Sequence, residues 1–173
     1  MKLLLLDTSP SEKSRSRCGL DYAEQCLKNL QIDYKRFSSK GWHLVSEGGS
    51  TESQQQACSY ARECDGYIVA GPVYDWGPAP QTLNALIHII SSDDPKFKPI
   101  TFIAGSGGVR ALLSYTSLVQ TVITETDAVV VGSPVMLAGD ACDRDIGFVS
   151  DDVKMRIQKQ VEAIIKHATV YKS

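Results

Sequence analysis

Apolar and polar positions follow two rhythms along this chain. Short runs dense in Leu, Ile and Val alternate with longer stretches in which apolar residues return every three or four positions, the pattern of parallel strands joined by helical crossovers. Leu3, Leu4, Leu5 and Leu6 form a continuous apolar run closed by Asp7-Thr8-Ser9-Pro10, which predicts a first strand over 3–7, buried on both faces. Over 14–30, Leu20, Ala23, Leu27 and Leu30 recur at helical spacing. Residues 31–37 alternate, with Ile32, Tyr34 and Arg36 on one side and Asp33 and Lys35 on the other, as in an outer strand. The Gly- and Ser-rich stretch 38–53 reads as the main loop. A polar helix over 52–63, a strand over 67–70 that stops at Gly71-Pro72, a helix over 80–90 and a strand over 99–104 follow. A helix over 110–124, a fifth strand over 128–132, a second long loop over 133–150 and an amphipathic helix over 151–170 complete the pattern, with no internal repeat.

Five parallel strands with helices on both faces make an α/β doubly wound sheet. In that architecture ligands sit beyond the carboxyl ends of the strands, so the residues just after strands one, three and four carry the functional information. The 173 residues predict a single domain over 1–173. With 43% apolar and 22% charged residues the chain is not a disordered one. A net charge of −2 gives no electrostatic reason to expect nucleic acid or an anionic membrane as partner. No apolar run approaches the roughly 18 residues of a spanning helix, and the opening stretch is too short for a signal peptide, so a cytoplasmic address is expected. Five cysteines without a C-x-x-C pair predict reduced thiols and no metal site.

Three loops meet at the expected edge. The first, 8–17, holds five hydroxyls and three cations ahead of a helix. Ser9, Ser11, Ser14, Arg15 and Ser16 are therefore candidates for a phosphate cradle at a helix N-terminus, or for an ordinary N-cap in a solvated loop. The second, 71–80, puts Pro72, Val73, Tyr74, Asp75 and Trp76 in a segment stiffened by three prolines, suited to stacking on a flat ring or to covering the sheet end. In the third, Ser106, Gly107 and Gly108 follow Gly105 and leave the backbone bare for close approach. There is no nucleotide-hydrolysing P-loop, and Arg110 stands where a dinucleotide fingerprint would need its last glycine. Phosphate donors, stacking surface and bare backbone together describe a site for a phosphorylated planar cofactor.

At these residues the chain resembles the NADPH-dependent FMN reductase family. Ser9, Ser14 and Ser16 fall at the Ser, Ser and Asn positions of its first loop, with Thr8 at its glycine and Ser11 at its arginine. Pro72, Tyr74, Pro80, Leu83 and Asn84 are similar to its second loop and following helix, with Asp75 in place of Asn and Trp76 additional. Gly107, Gly108, Arg110 and Ala111 match its third loop. The resemblance implies a flavodoxin-like sheet of order 2-1-3-4-5, FMN as cofactor and NADPH or NADH as co-substrate. It further implies a small electron acceptor (free flavin, quinone, azo compound or metal oxyanion), a homodimer or homotetramer, and chemistry on the flavin with no catalytic side chain.

Two other readings use the same residues. A flavodoxin-like carrier would bind FMN and pass single electrons to protein partners. A serine hydrolase would use Ser106 as nucleophile, His167 as base and an acid from Asp140, Asp143 or Asp145, although His167 falls within the last helix. Trp42 is either a lid or a loop anchor, His88 reads as a packing residue, and Cys142 as an idle thiol.

Overall fold

The computed structural model describes residues 1–92, 98–108, 115–125 and 128–170. Strand β1 (Lys2–Asp7) lies inside the sheet, and all four of its leucines are fully buried. Because successive side chains point to opposite faces, Leu4 and Leu6 enter one core while Leu3 and Leu5 enter the other. Each buried leucine contributes about 2 kcal/mol. Helices α1 (Arg15–Asn29) and α5 (Asp151–Val170) close the Leu3/Leu5 face through Leu20, Ala23, Leu27, Ile157, Val161 and Ile164. Helices α2 (Glu52–Glu63), α3 (Pro80–Ser92) and α4 (Thr116–Glu125) close the other. None of these helices, among the described residues, is long and apolar enough to cross a membrane.

The parallel sheet runs β2 (Asp33–Ser38), β1, β3 (Tyr67–Tyr74), β5 (Pro99–Gly105), β6 (Val129–Val130), with the chain reversing direction across the sheet between β1 and β3. A short β4 (Gly77–Pro78) folds back antiparallel on β3. The five-strand order read from the sequence is thus realised, with three differences.

First, β3 does not stop at Gly71-Pro72 but continues to Tyr74, in register with β5 as far as Pro72 and with β4 beyond it. A proline inside a central strand is tolerated here because of where its missing amide points. The carbonyls of Ala70 and Pro72 face the same side, accepting from Thr8 N at 2.8 Å and Ala79 N at 3.0 Å. The register of β1 with β3 ends at Ala70, so the absent N–H of Pro72 has no strand partner to lose.

Second, the fifth strand is broken. Val129 and Val130 pair with Pro99 and Ile100, and the edge resumes as β7 (Val135–Leu137) against Ile103 to Gly105. Five steps on one strand against three on the other leave two residues bulged, at the positive φ of Gly132. Gln160 of α5 fills the gap, its Nε2 donating to Phe102 O at 3.2 Å and Ser133 O at 2.7 Å. Third, the loop over 133–150 holds, besides β7, an antiparallel pair, β8 (Cys142–Asp143) and β9 (Phe148–Val149). Residues 110–114 of the expected fourth helix lie outside the described residues.

Two joints fix the first loop. Thr8, at the position of the family's glycine, is buried; its hydroxyl donates to Ala70 O at 2.9 Å and lies 2.7 Å from the Thr82 hydroxyl at the start of α3. That junction exists because Gly71 has no side chain: a Cβ there would run into both threonine hydroxyls. At the end of β1, Asp7 is buried and bound by Arg17 Nε at 2.6 Å and Arg36 at 3.4 Å. Arg36 also pairs with Asp21 and, at 2.9 Å, with Glu24. Burial alone would raise the Glu24 carboxyl, but hydrogen bonds from Lys28, Tyr34 and Arg36 outweigh it and hold the group below its ordinary value.

Gly71→Ala should destabilise the protein by about 1–3 kcal/mol in urea unfolding, because the overpacked joint lies between two fixed elements. A depressed carboxylate contributes stability above its unfolded value of 4.5, and that contribution is lost as pH falls through the lower folded value. The stability difference between the wild type and Glu24→Gln should therefore shrink on acidification below pH 4.5, read from urea midpoints over a pH series.

Candidate functional site

The carboxyl ends of β1, β3 and β5 surround an open cleft of about 250 Å³. Its floor is set by one close approach. A Cβ on Gly105 would lie 2.5 Å from Ser16 N, so glycine at the end of β5 lets the N-terminus of α1 rest against the sheet. Of the predicted residues, Ser9, Ser11, Ser14, Arg15 and Ser16 line the cleft on the α1 side, Pro72, Val73 and Tyr74 on the β3 side, and Ser106 and Gly107 at the end of β5. Asp75 and Gly108 follow directly on lining residues, and Trp76 follows Asp75, without any of the three being part of the wall.

Ser14 is the N-cap of α1. Its Oγ accepts from Arg17 N at 3.1 Å and lies 3.0 Å from Ser16 Oγ, so the capping reading of this serine is realised. The first helical bond runs from Cys18 N to Ser14 O, and the amides of Arg15 and Ser16 precede it at the positive end of the helix. Ser9 N donates to Asp7 Oδ1, and Ser11 Oγ to Lys13 O, which fold the loop tightly around the cleft.

The cations sort themselves by partner. Arg17 is taken up by Asp7 and the Glu12 carbonyl, Lys40 by Glu12, and Lys13 by Asp145 at 3.1 Å. Arg15, by contrast, has its Nε buried with no hydrogen-bond partner among the described residues. A buried guanidinium N–H at a helix N-terminus, in a cleft lined by serines, fits a phosphate. Lys13, Gly105 and Arg144 also line the cleft; the sequence reading placed Lys13 and Gly105 in the first and third loops without naming them as site residues, and it missed Arg144. Arg144 sits in a polar turn about 130 positions from Ser14, and its hairpin is too short to leave a periodic signal.

On the opposite wall, β3 and β4 are joined by a two-residue turn. Asp75 and Trp76 both have positive φ, 45° and 68°, the type I′ geometry that usually selects Asn-Gly. Trp76 is therefore no interruption of the loop but its turn residue, held in a left-handed conformation with its side chain 65% exposed. Tyr74 is half exposed at the same tip.

The remaining candidates resolve more simply. Ser106 Oγ donates to the Gly108 carbonyl, and His167 lies two turns of α5 beyond Gln160, away from the carboxyl end of β5. That arrangement does not form a hydrolase triad. Trp42 is a core anchor, edge-on to His88, whose Nε2 meets His43 O at 3.0 Å. Burial, and then the neighbouring Cys18 thiol, push the Cys142 thiol up, which suits an unreactive side chain.

Comparison with known proteins agrees with this geometry. The family model for NADPH-dependent FMN reductases matches residues 1–142, and the chain belongs to that family. The family makes it an FMN-dependent oxidoreductase. Its fold is flavodoxin-like. Rubredoxin oxygen:oxidoreductase from Desulfovibrio gigas superposes with a TM-score of 0.74 at 13% identity, over 99% of this chain. The present chain spans only 37% of that protein's length. An NADH:FMN oxidoreductase, EmoB in its apo form, gives a TM-score of 0.73 at 17% identity over 98% of this chain and 89% of its own. FerB, a flavoenzyme NAD(P)H:(acceptor) oxidoreductase from Paracoccus denitrificans, gives 0.73 at 16% identity over 96% and 98%.

Because Trp76 is exposed and held at positive φ, Trp76→Gly should stabilise the hairpin by about 1 kcal/mol, raising the melting temperature by about 2–4 °C in a thermal scan.

Proposed function

We propose that the protein takes a hydride from NADPH or NADH onto FMN held in this cleft and passes the electrons to a small acceptor such as a free flavin, quinone, azo compound or metal oxyanion. The observation that carries the reading is the unpartnered, buried Arg15 Nε beside the α1 N-terminus, in the same cleft as Tyr74 and the end of β5.

On this reading Ser9, Ser11, Ser14, Arg15 and Ser16 hold the phosphate. Pro72, Val73, Tyr74, Asp75 and Trp76 meet the ring from one side, and Ser106, Gly107 and Gly108 from the other. Gly107 and Gly108 have open space where a Cβ would stand, which leaves their backbone free to approach the polar edge of a ring. FMN, when bound, supplies the hydride and electron chemistry. The side chains orient and tune it, and none is assigned a bond-making role. The Asp75 carboxylate opposes negative charge on a ring placed beside it. The exposed Tyr74 and Trp76 at the open end support a homodimer or homotetramer in which a second copy covers that end.

The test is anaerobic. Purified protein is loaded with FMN, freed of excess and titrated with NADPH and with NADH. Retained flavin that bleaches with either nucleotide is the expected result; retained flavin that bleaches with neither would make the protein an electron carrier. Replacing Ser14 and Ser16 together by Ala should weaken FMN binding about tenfold or more by fluorescence titration and leave riboflavin binding nearly unchanged. Equal losses for the two flavins would mean that the phosphate lies elsewhere.

A further inference from the structure

Arg144 has no place in the phosphate loop as read from the sequence, and it lies beyond residue 142, where the family match ends. The β8–β9 hairpin brings it to the cleft. The turn between those strands is tied to the first loop by the Lys13–Asp145 ion pair, and tightened by Asp145 N donating to Asp143 Oδ1 at 2.8 Å. Arg144 lines the same cleft as Ser11, Ser14 and Arg15, and its guanidinium has no hydrogen bond or ion pair among the described residues.

Charge balance gives it a task. A phosphate monoester carries about −1.5 to −2 at pH 7. The N-terminus of α1 offers roughly +0.5 and Arg15 a full charge, leaving up to about half a unit unmatched. Lys13 does not close the difference, because Asp145 neutralises it, and Arg17 is spoken for by Asp7. Among the described cations that line the cleft, Arg144 is the one left once Arg15 has been counted.

We propose that Arg144, presented by the β8–β9 hairpin, is the second arginine of the flavin phosphate site and sets the preference for a phosphorylated over an unphosphorylated flavin. The inference rests on the cleft being the FMN site. The ion pair between Lys13 and Asp145 then serves to position the hairpin, not to contact the ligand. The other phosphate monoester within reach of this chemistry is the 2′-phosphate of NADPH. Arg144 is assigned to the flavin because the Lys13–Asp145 pair holds its hairpin against the loop that leads into α1, and it lines the same cleft as Arg15.

Binding of FMN and of riboflavin is measured by quenching of flavin fluorescence, at two salt concentrations, for the wild type, Arg144→Ala and Arg144→Lys. The ring is common to the two ligands, so their ratio isolates the phosphate. Arg144→Ala should raise the Kd for FMN about tenfold, leave that for riboflavin within about twofold, and flatten the salt dependence of FMN binding; Arg144→Lys should restore most of the loss. Unchanged FMN affinity in Arg144→Ala, or equal loss for both flavins, would overturn the assignment. So would an altered preference between NADPH and NADH with FMN binding intact, which would give Arg144 to the nucleotide. If the wild type itself binds FMN no better than riboflavin, it is the reading of the cleft that fails, before Arg144 is in question.

Discussion

The carboxylate of Asp7 sits almost out of water at the end of β1, and the architecture of the cleft depends on how it is matched. A buried charge is tolerated only when paired and hydrogen-bonded, and removal of one partner from such a pair is strongly destabilising, by about 3–5 kcal/mol. Here the partners come from three directions: Arg17 from the first turn of α1, Arg36 from β2 and the amide of Ser9 from the loop itself. Each bond fixes a different element relative to the strand end. The loop cannot open without uncovering the charge, so its serines are held in a tight arc at the N-terminus of α1 before any ligand arrives.

The same pairing divides labour among neighbouring cations. Arg15 and Arg17 are two residues apart on one helix turn, and their side chains have opposite fates. Arg17 turns back to the buried carboxylate, and Arg15 is left facing a cleft with an unsatisfied N–H. A structural ion pair thus determines which arginine is left without a partner among the described residues. Gly105 completes the arrangement from the far side, because the helix end can lie this close to the sheet only where β5 carries no side chain.

Most of the architecture was legible in the sequence because it rests on local periodicity. The run of four leucines, the helical spacing of Leu20, Ala23 and Leu27, and the alternation of Tyr34 and Arg36 against Asp33 and Lys35 each encode their own element. What was not legible depends on register between distant segments. Pro72 looks like a stop because its penalty in a strand is general, and only the alignment with β1 shows that its missing amide falls past that strand's end. The break in the fifth strand needs Gln160, about thirty residues away, to satisfy the exposed carbonyls. Trp76 contradicts the ordinary turn preference, so the type I′ hairpin could not be read from its residue types. In the site, residues 9 to 16 announce themselves as a cluster, whereas Arg144 reaches the cleft through a hairpin whose strands are two residues long.

The two margins of the sheet set limits on how copies of this chain can meet. At one margin, β2 carries the exposed charges of Asp33 and Lys35. At the other, the bulge between β6 and β7 divides the outermost backbone into pieces of two and three residues. Neither margin presents the long, flat, uncharged ladder that strand addition requires. Growth by continuing the sheet from one molecule into the next, the common beginning of fibrous aggregation, is therefore resisted at both ends. Association is directed instead to helix surfaces and to the loops around the cleft, where a neighbour would meet side chains and not an open backbone.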